Sequence, residues 1–451
     1  MVAFHIEFIF GAQGFLNFCV MEKIRMNAAG IDIGSEKVFV GLEGGEVRSY
    51  QTFTSDFKLL ADFLIENGVR TVAMEATGVY WIVLYDILAE RGLEVWLVDG
   101  RQTRQVPGRK TDVKDCSWIQ QLHSYGLLNR CFVADGSLKE LRSYQRLRED
   151  HLRSSTMHIN HMQKALIEMN IRLPEVLNQV HGKSGMAMIE AILSGERDKN
   201  TLLALCHASI KKTKSEEVLK ALEGYYTPAG LFSLRQAYNG YQFYQQQIAE
   251  CDSQIQKALD KINGGTPTAG GKRKAIRHNR PDIKNLGDHL LTIFGGKDAS
   301  VMSGITDYTW LQVYSEVGSD LSRWQTEKHF TSWLGLSPGQ NHSGKKRKNA
   351  RKGRPKAGQV FRQIAQSLMN SKKIALGAFC RRLKGRKGPA IAIKATARKI
   401  AAQYWRLMVK GVSYVEQGVA RYEEQILKQK HKYLNKLALE LDLVVIPNTL
   451  N

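Results

Sequence analysis

The chain has few cysteines for its length, and none of them belongs to a recognisable pair or cluster. Six cysteines are scattered over 451 residues, with no CxxC motif and no Cys/His group at zinc-ligand spacing. This excludes a small disulfide-built secreted domain and argues against a structural zinc site. A reducing, cytoplasmic compartment fits this cysteine usage best.

Long apolar runs are also missing. The most apolar segment, Phe8–Val20, is interrupted by Gly, Gln and Asn and is too short to span a bilayer. It is preceded by His5 and Glu7 rather than by the basic region of a secretory signal. We therefore expect no membrane association, and we interpret residues 1–26 as a non-native or disordered extension, with translation starting at Met21 or Met26.

Acidic residues are absent from one long stretch of an otherwise nearly balanced chain. Between His342 and Lys410 there are 21 Lys or Arg residues and no Asp or Glu, and this stretch carries almost all of the net charge of +22. Such a run can be a solvated face, but its length favours a nucleic-acid partner. The predicted contacts to nucleic acid are Lys345, Lys346, Arg347, Lys348, Arg351, Lys352, Arg354 and Lys356. Tyr404 and Trp405 could stack on bases, although helical core is the commoner role for such residues.

The segment 27–135 alternates between strand and helix patterns. Strands are predicted at Ala28–Val40, Val47–Phe53, Val69–Met74 and Leu93–Val98. Helices are predicted at 56–67, 79–90 and 112–128. Strands that alternate with helices indicate an α/β sheet.

The remainder of the sequence is mostly helical. Long helices are expected over 136–263, either as a coiled-coil arm or as an ordinary bundle, because no strict heptad persists over several repeats. A Gly-, Thr- and Lys-rich linker is expected at 264–284. A second folded unit with helices at 286–294, 309–317, 327–334, 359–368 and 390–408 is expected over 285–410, followed by a helical tail at 411–451.

Four acidic residues of the α/β segment form a candidate catalytic and metal-binding set. Asp32 lies in the first strand, Glu75 ends a buried strand, and Asp112 and Asp115 lie one helical turn apart at a helix start. Carboxylates on apolar strands are costly unless they are paired or bound to metal. Four such groups suit a pair of Mg²⁺ or Mn²⁺ ions that cleave phosphodiesters. Alternatively, Asp112 and Asp115 stabilise the helix start, and Asp32 belongs to a turn.

Ser343 is a weaker candidate when it is judged by residue type alone. It is followed by Gly344 and four consecutive cations. The cations would hold phosphates and lower the pKa of a hydroxyl nucleophile. A Ser-Gly pair in a basic loop is nevertheless most often a flexible turn.

Several motifs resemble those of the DEDD-type insertion-sequence transposases of the 110/1111 family. In the first half these are Gly-Ile-Asp-Ile-Gly-Ser-Glu-Lys, Met-Glu-Ala-Thr-Gly-Val-Tyr-Trp and Lys-Thr-Asp-Val-Lys-Asp. In the second half they are Leu-Gly-Leu-Ser-Pro-Gly-Gln-Asn-His-Ser-Gly-Lys and Lys-Ala-Gly-Gln-Val-Phe-Arg. The resemblance implies an RNase H/RuvC-like catalytic domain followed by a helical transposase domain.

The same resemblance implies an activity and its partners. The protein would cut and rejoin the DNA of its own insertion sequence, with the four acids binding divalent metal and Ser343 attacking the DNA backbone. An element-encoded guide RNA would pair with donor and target DNA, so that the protein reads shape and backbone. Two active centres on two duplexes would require a homo-dimer or tetramer, and the protein would be associated with the nucleoid of a bacterial or archaeal cell.

Three other functions fit parts of the sequence. A junction-resolving, RuvC-like nuclease would use only the four acids and would hydrolyse DNA with water. An actin-like ATPase would use the Asp-Ile-Gly-Ser-Glu-Lys hairpin for phosphate binding, but no second Asp-Gly-Gly-type loop follows. A non-catalytic nucleic-acid-binding protein would account for the basic stretch and would leave the acids without a role.

Overall fold

The computed structural model describes residues 22–103, 112–134, 136–264, 267, 274–276, 278–338, 342–343, 346–347, 355–411, 413 and 418–445. Residues 1–21 of the predicted extension and most of the predicted linker lie outside these ranges. The chain divides into two compact units, Met1–Val133 and Ala134–Asn451. None of the helices within the described ranges combines the length and apolarity needed to cross a bilayer.

The first unit is built on a five-stranded mixed sheet. Its strands are β1 (Ala28–Ile33), β2 (Lys37–Gly41), β3 (Val47–Gln51), β4 (Thr71–Glu75) and β5 (Glu94–Val98). They lie in the order β3-β2-β1-β4-β5. Strand β1 pairs antiparallel with β2 and parallel with β4, and β4 pairs parallel with β5. This mixed sheet, with the helices that follow it, confirms the predicted RNase H-like first domain and mostly helical remainder.

The single long strand predicted at Ala28–Val40 is wrong. The chain turns after Ile33, where the Gly34 N–H donates to the Lys37 carbonyl at 2.9 Å, and it returns as β2. Alternation of apolar and polar residues continues through both strands, so the pattern alone does not reveal a tight turn between them.

Helices cover both faces of this sheet. They are α1 (Thr54–Glu66), α2 (Trp81–Glu90), α3 (Gly100–Thr103) and α4 (Asp112–Ser124). Helices α1 and α2 bury Leu60, Leu64, Leu84 and Leu88 in a core with Ile31 and other residues of the same sheet face. On the opposite face, Ile119 and Leu122 of α4 pack with Ala73 and Val98. We call this second face the α4 face.

The second unit begins with two long helices and a group of short ones. These are α5 (Gly136–Glu168), α6 (Leu173–Val176), α7 (Lys183–Leu193), α8 (Lys199–Ala204), α9 (Ala208–Thr213), α10 (Ser215–Ala221) and α11 (Pro228–Asn263). Helix α11 starts with Thr227 accepting from the Gly230 N–H at 3.1 Å and with Pro228 in the first turn. Helices α5 and α11 pack along each other, and a shared core joins them to the short helices.

The C-terminal part of this unit is also helical. It contains α12 (Leu286–Ile293), a 3₁₀ turn (Ala299–Val301), α13 (Asp307–Val317), α14 (Glu327–Trp333), β6 (His342–Ser343), β7 (Lys346–Arg347), α15 (Lys356–Met369), α16 (Ala375–Lys387), α17 (Pro389–Lys410) and α18 (Gly418–Glu440). Trp310, Phe330, Phe361 and Tyr404 form the centre of its core. The sequence patterns did not predict α16.

Of the two roles considered for Tyr404 and Trp405, the structure confirms helical core and contradicts base stacking. Tyr404 is fully buried, and Trp405 donates its indole N–H to the Leu321 and Trp324 carbonyls at 3.2 and 3.1 Å. Side chains that fill a core and satisfy backbone carbonyls have no face left for a nucleobase. Both residues therefore stabilise the fold.

A buried ion pair joins the long helices to the C-terminal core. Arg148 of α5 contacts Asp252 of α11, and both side chains are less than 5% exposed. The same guanidinium donates to the Tyr308 hydroxyl of α13 at 2.8 Å, and Asp252 accepts from the Asp282 N–H at 3.0 Å. These additional hydrogen bonds offset the desolvation of the two charges. The pair fixes α5, α11 and α13 in one arrangement.

Candidate active site

Two glycines bring helix α4 unusually close to the sheet. A Cβ atom on Gly30 would lie 2.3 Å from both the Cys116 carbonyl oxygen and the Gln120 nitrogen. Gly41, which is paired with Gly30 across β1 and β2, has the Ser117 nitrogen 3.0 Å from the corresponding position. Only glycine permits such an approach of two backbones. The α4 face is therefore shaped to receive a helix at close range.

This contact predicts the effect of a single added methyl group. We expect Gly30→Ala to lower the free energy of unfolding by about 1–3 kcal/mol, because its Cβ overlaps the α4 backbone. Gly41→Ala should cost less, since its closest contacts begin at 3.0 Å. Urea denaturation followed by tryptophan fluorescence measures both changes.

Gly385→Ala is the matched control for this pair. No atom lies within 4 Å of a Cβ at this helical position. The higher helix propensity of alanine should make this variant equally or slightly more stable than the parent. A Gly30→Ala protein as stable as the Gly385→Ala protein would show that α4 does not approach β1 so closely.

Helix α4 runs antiparallel to β1 and β4. Near its C-terminal end, the Ser124 carbonyl accepts from the Ile24 and Arg25 N–H groups at 2.8 and 2.9 Å, just before β1. His123 Nε2 lies 2.8 Å from the Thr71 hydroxyl at the start of β4. The N-terminal turn of α4 must then lie toward the carboxyl ends of both strands. Asp112 and Asp115 belong to that turn.

Asp32 and Glu75 lie at those carboxyl ends, on the same face. The parallel register pairs Gly30 with Ala73 and Ile31 with Met74, so its continuation sets Asp32 beside Glu75. Side chains alternate along a strand, so both acids share the face of Gly30 and Ala73, which α4 covers. Asp32 lies about 6.6 Å beyond Gly30 along the strand, and Asp112 lies about 6 Å before Cys116 along the helix.

The electrostatics of Cys116 support this placement. Burial, with a smaller contribution from the charge of Asp32, raises the pKa of the Cys116 thiol to about 11. This agrees with the backbone geometry, in which Asp32 follows Gly30 by two residues on the face that contacts Cys116. Both Asp32 and Asp115 are half-buried, so part of each side chain is reached by water.

Glu75 is held by helix α3. The Thr103 hydroxyl donates to Glu75 Oε2 at 2.7 Å. The Glu75 carboxylate also lies against Gly100, where an added Cβ would be 2.2 Å from Oε1. The indole N–H of Trp118, on α4, donates to the Thr103 carbonyl at 3.2 Å. Sequence reasoning missed Thr103, because a threonine in a basic loop carries no signal until its neighbour is known.

The structure thus brings Asp32, Glu75 and the α4 turn with Asp115 onto one face of the sheet. For Asp112 only the backbone is described, as the first residue of α4. Among the side chains that the structure describes, no group of three or more His, Cys, Asp or Glu is close enough to hold a metal ion. The donor chemistry nevertheless suits Mg²⁺ or Mn²⁺, since all four candidates are hard carboxylate ligands.

Ser343 lies in a short β-hairpin of the second unit. Strands β6 and β7 pair antiparallel, with His342 opposite Arg347 and Ser343 opposite Lys346. Only the backbone of these four residues is described. The predicted nucleic-acid contacts Lys345, Lys348, Arg351, Lys352 and Arg354 lie outside the described residues.

Lys356 begins α15 and lies 3.9 Å from Glu149 of α5. Burial lowers the pKa of its ammonium group, although the Glu149 charge opposes this shift. This partly buried ammonium group therefore already faces a carboxylate within the protein.

A further cationic surface follows on α16. Arg381, Arg382, Lys384, Arg386 and Lys387 are all exposed there. The long run without acids was the sequence signal for this surface. Because the helix itself was not predicted, these residues were not singled out.

Comparisons with known proteins place these features in a family. A family model for DEDD transposases of the IS110 type matches residues 29–171, which include Asp32, Glu75, Asp112 and Asp115. A second model, described as transposase IS116/IS110/IS902 family, matches residues 299–379, which include Ser343. A search of curated proteins found no match. Two transposase models matching in order, one over the mixed sheet with its four acids and one over the C-terminal helices, show that the chain belongs to the IS110 family of DEDD transposases and is a DNA transposase/recombinase.

Proposed function

We propose that this transposase cuts and rejoins the DNA of its own insertion sequence with two sets of groups: the acids Asp32, Glu75, Asp112 and Asp115, and the hydroxyl of Ser343. The observation that carries the proposal is the convergence of the strand ends bearing Asp32 and Glu75 with the α4 turn. DEDD-type transposase nucleases generally use divalent metals, and we assign Mg²⁺ or Mn²⁺ to these acids.

The four acids would hold the metal and orient the scissile phosphate. A bound divalent ion supplies charge neutralisation and activates or stabilises an oxygen at the phosphorus. Asp32 and Glu75 are fixed by neighbouring strands, while Asp112 and Asp115 follow the position of α4. Since Gly30 sets the distance between α4 and β1, the backbone packing described above also sets the spacing of the two pairs of carboxylates.

Ser343 would act as a covalent nucleophile. Its Oγ attacks the phosphorus and forms an Oγ–P ester, while the bond from phosphorus to one DNA oxygen breaks. The serine proton is lost to solvent or a base, and the released DNA oxygen takes up a proton as a hydroxyl. A hydroxyl of the partner DNA strand then attacks the same phosphorus and regenerates the serine. Lys346, directly across the hairpin, and its basic neighbours favour the ionised nucleophile and bind phosphate.

We further propose an element-encoded guide RNA and a homo-dimer or tetramer as the active assembly. The support for the RNA is the family resemblance, together with a cationic excess that suits more than one nucleic-acid strand. Base pairing between the RNA and the DNA would then determine sequence specificity, while the protein would contact the nucleic-acid backbone and recognise the shape of the duplex. A reaction that exchanges strands between two DNA duplexes needs one active site for each duplex. A symmetric oligomer supplies these active sites.

Reconstitution tests the proposal. Full-length protein is incubated with donor and target DNA, with Mg²⁺, and with or without the structured RNA transcribed from beside the reading frame. We expect RNA-dependent joined products and a protein–DNA adduct that survives denaturant. Cleavage without an adduct would instead indicate a junction nuclease that uses water. Joined products formed without RNA would exclude the proposed need for a guide RNA.

The basic loop also predicts a salt dependence. Replacing Lys345, Lys346, Arg347 and Lys348 with glutamine should flatten the slope of log affinity against log salt concentration. Each phosphate contact contributes about 0.9 to this slope, so the change should reach about 3 to 4 if all four side chains touch phosphate. Fluorescence anisotropy with labelled DNA at a series of salt concentrations measures it.

A charge-matched control distinguishes direct contact between the loop and phosphate from a general effect of lower net charge. Lys211, Lys212, Lys220 and Lys257 are exposed lysines of the same unit outside the basic stretch. Replacing these four with glutamine removes the same charge and should leave the slope nearly unchanged. Equal slopes for the loop variant and the parent protein would show that the loop does not touch phosphate.

A further inference from the structure

We infer that Thr103 is a positioning residue that holds the Glu75 carboxylate in its metal-binding orientation. This inference rests on the proposed role of Glu75 in the acid set. Glu75 is half-buried at the end of β4, and its side chain has three rotatable bonds. Something must hold it, since a freely rotating carboxylate would lose conformational entropy when it binds an ion.

The hydrogen bond from Thr103 is well suited to this task. Its hydroxyl lies 2.7 Å from Glu75 Oε2 and 3.0 Å from the Gly100 carbonyl oxygen. A hydroxyl has one proton to donate, and the closer, charged acceptor is the stronger partner. The proton therefore goes mainly to Glu75. The hydrogen bond thereby fixes the position of Oε2.

Gly100 provides the space for this arrangement. A Cβ at this position would lie 2.6 Å from the Glu75 carboxyl carbon, well inside van der Waals contact. The carboxylate thus rests against bare backbone on one side and is hydrogen-bonded to Thr103 on another. Together the two contacts leave the carboxylate little freedom to rotate.

Thr103 is itself anchored from two directions. Its carbonyl accepts from the Trp118 indole N–H, so the residue is tied to α4. One position earlier, Gln102 accepts from the Asn129 N–H at 2.7 Å and donates to the Asn129 carbonyl at 3.2 Å. Because α4 also carries Asp115, Thr103 couples the Glu75 carboxylate to the helix that provides the other acids. In metal sites, groups of this kind orient the side chains that bind the ion.

The test compares Thr103→Val, which keeps the side-chain shape but lacks the hydroxyl, with Thr103→Ser, which keeps the hydroxyl. Mn²⁺ is titrated into the full-length, metal-free protein in a calorimeter. We expect Thr103→Val to weaken Mn²⁺ binding about 10- to 100-fold, the usual effect of removing such a partner, and Thr103→Ser to stay within about threefold of the parent protein. Urea denaturation in EDTA gives the stability of each variant without metal.

A Glu75→Gln background shows whether the effect passes through Glu75. If Thr103 acts by orienting this carboxylate, Thr103→Val should weaken Mn²⁺ binding no further in that background. Equal binding by the parent and Thr103→Val proteins would overturn this inference and leave the acid set intact. A lower stability in EDTA with unchanged Mn²⁺ affinity would also overturn it, because Thr103 would then only stabilise α3. No binding to the parent protein would overturn the proposed metal site together with the inference.

Discussion

Ser343→Ala should abolish the denaturant-resistant protein–DNA adduct and lower strand transfer by about a thousandfold or more. Alanine removes the hydroxyl oxygen that is proposed to form the ester to phosphorus, and it leaves the neighbouring cations of the sequence in place. DNA binding should therefore persist at near-parental affinity. Adducts are measured on denaturing gels with labelled DNA, strand transfer by joined product, and binding by anisotropy.

Ser332→Ala serves as its control. Ser332 is an exposed serine of α14 within the part of the chain that the second family model matches. This variant should form adduct and joined product at the parental rate. Adduct formation by Ser343→Ala would assign the covalent bond to another residue. Full strand transfer without adduct in the parent protein would indicate that a DNA hydroxyl attacks the phosphorus directly, with no serine ester.

Much of the first unit could be predicted from local patterns. Strand alternation fixes which side chains share a face, so the common face of Asp32 and Glu75 follows once both are assigned to neighbouring parallel strands. The helix at Asp112 was likewise evident from its apolar spacing. These features depend on periodicity within a few residues, which is the information that a single sequence carries most directly.

The approach of α4 to the sheet could not be predicted in the same way. In the sequence, Gly30 looks like an ordinary strand glycine and Gly41 like a turn residue. Their role appears only when β1 pairs with β2 and α4 lies across both. Thr103 is a similar case, because its partner Glu75 is 28 residues away. Contacts between distant parts of the chain leave no periodic signal.

Helix α16 could not be predicted for a different reason. Helix α16 carries a dense set of cations and two internal glycines, Gly377 and Gly385, which hide its apolar stripe. Tyr404 and Trp405 lie in the same basic stretch, which makes base stacking an alternative to the commoner core role that the structure shows. Charge describes the exposed side of such helices, whereas burial depends on the side that faces the core.

Asp32→Asn should lower strand transfer by about a thousandfold or more while DNA affinity stays near the parental value. The amide has the shape of the carboxylate but lacks the negative charge that a hard cation requires. A bound metal contributes several kcal/mol of charge stabilisation in the transition state, and a loss of about 4 kcal/mol corresponds to about a thousandfold in rate. Product formation under single-turnover conditions, with affinity from anisotropy, separates the two effects.

Asp99→Asn is the matched control, because Asp99 also follows a strand of the same sheet but is engaged elsewhere. Its carboxylate pairs with Arg101 and accepts the Arg101 N–H at 3.0 Å. An asparagine can still accept that backbone hydrogen bond, so strand transfer should stay within about threefold of the parent, as expected for an exposed ion pair. Equal losses of strand transfer in the two variants would mean that any negative charge at the carboxyl ends of these strands has the same effect, so that Asp32 has no specific role. Parental activity in Asp32→Asn would remove Asp32 from the metal-binding set.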